Sequence, residues 1–109
     1  MNDSTELLRQ EVTELTDMLR SGDGFNALRN ALIARKIPVD KTIFAGFMEN
    51  EDEDEYGVII THELKCIAWE ADRHESITRW ETISDPDSLA GEFEALPVGI
   101  SMVRSGEIS

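Results

Sequence analysis

Residues 56–83 read YGVIITHELKCIAWEADRHESITRWETI: three short runs rich in β-branched and aromatic residues, separated by two polar breaks. Along the middle run Ile67, Trp69 and Ala71 share one face while Cys66 points to the other, the alternation a pleated strand requires. The breaks at 62–65 and 73–76 are too short for a crossover, so these strands are expected to pair antiparallel as a meander. Upstream, residues 42–48 lack helical spacing and are read as a further strand. It is joined to residue 56 by a stretch with six acids in seven positions, Glu49 to Glu55, where carboxylate repulsion predicts an exposed loop.

Before the strands the period changes from two to 3.6. Leu8, Val12, Leu15 and Leu19 recur at helical spacing behind Asp3 and Ser4, which are expected to cap, and Leu7 and Met18 broaden the stripe. Ser21-Gly22-Asp23-Gly24 stops this helix. A second helix then starts with the stripe Phe25, Leu28 and Leu32 and closes at Ile37-Pro38, giving an N-terminal helical hairpin. Downstream, Asp85-Pro86 opens a short third helix through Leu89, Phe93 and Leu96, which Pro97 ends; residues 98–103 read as a last strand, and the tail 104–109 is expected to fray. The expected architecture is α+β: a helical hairpin packed on an antiparallel sheet of four to five strands, with one further short helix. The whole chain, 1–109, forms a single domain with no internal repeat.

Charge narrows the function. The chain carries 23 Asp and Glu against 10 Lys and Arg, a net charge of −13, and 16 of the acids lie between residues 49 and 109. Such a field repels nucleic acid and anionic membrane, and it attracts basic proteins. The lone Cys66 forms no internal disulfide, and with no export leader or long apolar run the reading is cytoplasmic.

Little in the sequence carries chemistry. His62 and His74 lack a second ligand at metal spacing, and carboxylate pairs are too numerous for any one to be singled out. Cys66 is read as a small hydrophobe whose partial exposure stays open. No metal, cofactor or catalytic role is assigned. The expected partner-binding residues are Glu49, Glu51, Asp52, Glu53, Asp54 and Glu55, extended by Tyr56 and by Trp80, which is placed on the solvent side as an interface anchor. The reading is an inhibitor or neutraliser of a basic partner, such as an immunity protein, an antitoxin or a nucleic-acid mimic aimed at a nuclease or nucleic-acid-binding protein. Its alternative is a secretion chaperone or adaptor, dimeric through helix 1, holding a client protein.

Overall fold

The computed structural model describes residues 3–108. Three helices, α1 (Asp3–Ser21), α2 (Asn26–Ala34) and α3 (Ala95–Arg104), surround a sheet of β1 (Ile43–Glu49), β2 (Glu55–Ile60), β3 (Cys66–Ala71) and β4 (Ile77–Ile83). The four strands lie in sequence order, each antiparallel to the next, as short connections dictate. The α+β class holds, with four strands.

Both faces of the sheet are buried, which a helical hairpin on one face does not provide. Strand alternation divides the apolar residues into two clusters. On one side Phe44, Ile59, Ile67 and Trp69 pack beneath Leu28 and Leu32 of α2. On the other, Ile43, Val58, Ile60, Cys66 and Ala68 pack beneath Leu96 and Met102 of α3, with Leu89 and Phe93. Helix α1 serves both: Leu8 and Val12 reach the α3 side and Leu15 and Leu19 the α2 side, so the helix runs along the edge of β1. Its whole stripe is consumed within the chain, and the surface proposed for a dimer through this helix is reduced to Leu7 and Met18. The capping expected at Asp3 and Ser4 involves side chains outside the described residues.

Phe25 is not a helical stripe residue. It precedes α2 in a left-handed conformation, φ 56°, and its ring stands edge-on to Phe44 and Phe47 with centroids 4.8 and 4.9 Å away. Two aromatic contacts thus hold a backbone state that phenylalanine ordinarily avoids. Arg29 ties the helical corner together by donating to the carbonyls of Leu19 and Gly24, at 2.9 and 2.6 Å, where a cation also meets the negative end of α1.

The C-terminal quarter corrects the sequence reading. The expected third helix is only a 3-10 turn, Pro86–Leu89, although Asp85 does cap it by accepting the Asp87 N–H at 3.2 Å. The expected last strand is α3. Pro97 does not end that helix but sits in its first turn, where the missing N–H has no intrahelical partner to lose. The tail does not fray from residue 104. Gly106 adopts φ 78°, so that its N–H and that of Glu107 donate back to Val103 and Met102, the bond pair of a Schellman stop. Glu107 then pairs with Arg9 and Ile108 packs on the core, while Ser109 lies outside the described residues.

Candidate functional site

The three strand connections share one construction. Asn50, Thr61 and Asp72 each accept two backbone N–H groups on their own side-chain oxygen: Asp52 and Asp54 on Asn50, Glu63 and Lys65 on Thr61, His74 and Ser76 on Asp72, all at 2.9–3.3 Å. Three residues further on, Glu53, Leu64 and Glu75 take left-handed φ of 66°, 62° and 64°. The same turn therefore recurs every eleven residues, a repeat that composition and hydrophobic pattern hide because the side chains between differ. Its sequence signal is an Asn, Thr or Asp at 50, 61 and 72. A hairpin position that favours glycine carries Glu, Leu and Glu instead.

This construction positions the charge. In an antiparallel meander the first and third connections emerge at one end and the second at the other. Glu49, Glu51, Asp52, Glu53, Asp54 and Glu55 are thereby joined at that end by Asp72 and Glu75 of the third turn, eight carboxylates with Arg73 and His74 as the only neighbouring basic side chains within these two segments. The β1–β2 loop is legible as a charge run; its partner turn is not, because the nearness of Glu55 to Glu75 is a property of the strand pairing. A groove beside β1 adds Glu11, Glu92 and Glu94, near Met48. Among the described residues, carboxylates form ion pairs only at Glu63, Glu81 and Glu107, so none of the eight is neutralised by a salt bridge.

Glu55 feels this crowding, whereas Asp72 feels the hydrogen bonds of its own turn. Burial, and then the charges of Glu49 and Glu75, push the Glu55 carboxyl above its ordinary range. Asp72 is held below its range, chiefly by the Ser76 N–H and also by that of His74. Their signs oppose. The contribution of Glu55 is full below its unfolded pKa and is lost as pH rises through the folded value; that of Asp72 is present above its unfolded pKa and is lost as pH falls through the folded one. Glu55→Gln is therefore expected to stabilise the fold at pH 7, by about 0.5 kcal/mol or less given solvent screening, and to confer nothing near pH 3. Urea unfolding at the two pH values measures the difference, and equal gains at both would rule out an ionisation effect.

Tyr56 adjoins the acidic end but is half-buried, its ring edge-on to Phe93 at 6.1 Å. Trp80 does not join that end. It pairs in register with Trp69, lies on the α2 face, and is covered by the Arg35 guanidinium 4.3 Å from its ring centroid. Its surroundings near the second turn include Arg35, His62 and Lys65 together with Glu63, which pairs with Lys65, and the solvent-side placement is corrected to a half-buried one. The difference arises because α2, distant in sequence, covers that side of the strand. At the same pole Leu64 is exposed and left-handed, close to Lys41 and Val103. The second turn thus lacks the carboxylate surplus of the first and third: its Lys65 is paired with Glu63, and Arg35 and Lys41 lie nearby.

Cys66 is buried, 4% exposed, and burial pushes its thiol pKa up against a smaller lowering by Arg104, which disfavours the reactive thiolate. Among the described residues no cluster of three or more His, Cys, Asp or Glu is arranged to hold a metal ion, and no helix is long and apolar enough to cross a membrane. A cleft of about 690 Å³ runs along α1 and is lined by Glu6, Arg9, Thr13, Asp17 and Glu107, a polar surface groove. No protein family, curated protein or solved structure matches the chain.

Proposed function

We propose that this chain is a cytoplasmic protein-binding module that docks its acidic pole on a cationic surface and thereby neutralises a basic partner, without catalysis. Immunity proteins, antitoxins and nucleic-acid mimics are of this class. The observation that carries the reading is the convergence of the first and third turns, which gathers eight unneutralised carboxylates on one end of the sheet. Scattered charges would raise solubility; gathered ones steer an encounter, raising the association rate with a cationic site. The side-chain oxygens of Asn50 and Asp72 organise the two tips, so less ordering is needed on binding. A nuclease or nucleic-acid-binding protein fits as the target, because its groove is built for a polyanion. The escort alternative needs a free stripe on α1, and Val12 and Leu19 are fully buried.

The test compares the wild type with a chain carrying Glu51→Gln, Asp52→Asn, Glu53→Gln and Asp54→Asn, which keeps the Asn50 turn and removes four charges. Both are immobilised and challenged with native extract. The wild type should retain a basic protein that elutes as salt is raised, and the neutralised chain should bind that protein with an association rate roughly tenfold lower. Equal association rates, insensitive to salt, would leave the acidic pole as a solubilising feature only.

A further inference from the structure

The two edges of the sheet are treated differently. Along β1, helix α1 closes the edge: the Thr16 hydroxyl accepts the Phe44 N–H at 3.0 Å and Arg20 donates to the Thr42 carbonyl at 3.3 Å. Along the other edge β4 pairs with β3 alone, and among the described residues nothing hydrogen-bonds to its outer side. An open edge is a template for another strand unless charge, proline or a bulge blunts it. Here the register shift lies at the Ile77 end, and Arg79 to Ile83 run regularly against Glu70 to Cys66.

Residues 78–82 read Thr-Arg-Trp-Glu-Thr. Reversed, threonine meets threonine, tryptophan meets itself and arginine meets glutamate, the pattern of a strand complementary to its own antiparallel copy. We propose that β4 pairs with β4 of a second copy of this chain about a two-fold axis through Trp80, joining two four-stranded sheets into one.

The backbone phase agrees. Across the second turn the Thr61 N–H donates to the Lys65 carbonyl; alternation from there directs the backbone groups of Ile67 to β2 and those of Ala68 and Glu70 to β4. The Asp72 N–H donating to Ser76 across the third turn gives the same phase. Glu81 and Arg79, opposite Ala68 and Glu70, therefore point their backbone groups at β3, and Trp80 and Thr82 aim theirs outward. Trp80 is in phase to exchange both backbone bonds with its copy at the axis.

The side chains agree as well. Arg79 donates to Glu81 of its own strand at 2.8 and 3.1 Å and stands opposite Glu70 of β3, so its guanidinium lies among carboxylates on this face. Paired, each Arg79 stands directly opposite a Glu81 of the other copy on one face, and Trp80 meets Trp80 on the other. The net charge of −13 opposes self-association, but at 0.15 M salt charges are screened beyond about 8 Å, whereas contacts at the edge are shorter. Salt should therefore strengthen this dimer. The two acidic poles point in opposite directions, so the surface is independent of the one proposed for the basic partner.

Sedimentation equilibrium of the full chain in 0.3 M NaCl, over about 1–300 μM, tests the proposal. The wild type should move from a mass of 12.3 kDa to twice that value as concentration rises. Arg79→Glu and Glu81→Arg place like charges opposite one another, and each alone should raise the dissociation constant at least tenfold. Mixing the two variants should restore association as a mixed dimer, because every charge then faces its opposite. The two side chains are 40% and 57% exposed, but Arg79→Glu also stands opposite Glu70 within the protomer whereas Glu81→Arg stands opposite Ala68. Circular dichroism of each variant therefore checks that the protomer still folds, and Glu81→Arg is the cleaner probe of the interface. A wild type that stays monomeric throughout overturns the proposal and leaves the edge to a foreign strand. A dimer that both substitutions leave intact, or variants that do not recover on mixing, overturns this register.

Discussion

Gly57→Ala is expected to lower the melting temperature by on the order of 15 °C, the consequence of about 3 kcal/mol of lost stability in a domain of this size. Gly57 sits in β2 between Phe47 of β1 and Trp69 of β3. A methyl group there would stand 2.5 Å from the Gly46 carbonyl oxygen, 3.1 Å from the Trp69 indole nitrogen and 3.2 Å from the Phe44 ring. The nearest obstacle is backbone, so no rotamer change relieves it: β1 must move away from β2, disturbing the aromatic cluster of Phe25, Phe44 and Phe47. Gly91→Ala is the matched control. Nothing lies within 4 Å of its added carbon, so a loss of unfolded-chain entropy should make it neutral or stabilising by up to about 1 kcal/mol. Thermal melts followed by circular dichroism read both, and a Gly57→Ala chain melting within about 2 °C of the wild type would show that the strands part without cost.

Thr16→Val should cost about 1–3 kcal/mol while leaving side-chain volume almost unchanged. Thr16 is 1% exposed, midway along α1, and its hydroxyl is the partner of the Phe44 N–H at 3.0 Å. That N–H points away from β2 at a sheet edge, and valine would bury it without an acceptor. Thr16→Ser keeps the acceptor and should recover most of the difference. Urea denaturation distinguishes them, and amide exchange at Phe44 should accelerate in the valine chain alone. If valine and serine proved equally stable, the hydroxyl would have no part in closing this edge.

Several features of the fold were legible residue by residue. The stripe Leu8, Val12, Leu15 and Leu19 marked α1, and the alternation Ile67, Trp69, Ala71 marked β3, because each element meets the core through a face whose period shows in the chain. The short polar breaks forced the meander. Residues 98–103 are ambiguous in sequence because an apolar run with little polar interruption fits a buried strand as well as a helix, and a proline such as Pro97 marks a stop or, as here in α3, a first turn. The acidic loop was visible as composition, but not its union with Asp72 and Glu75. Alternation along its own strand places Trp80 on the solvent side and carries no information about Arg35, at the end of α2, lying over it.

Local chemistry was enough to settle the α+β class, the antiparallel order of the strands and the excess of negative charge, since each follows from neighbours a few residues apart. Long-range packing settled the rest: helices on both faces, α1 closing one edge while β4 stays open, and carboxylates from two turns brought to one pole. The division has a physical cause. Periodicity and turn chemistry act through bonded neighbours, whereas the choice of which apolar face covers which side of a sheet depends on surfaces that meet only after the chain has closed its loops.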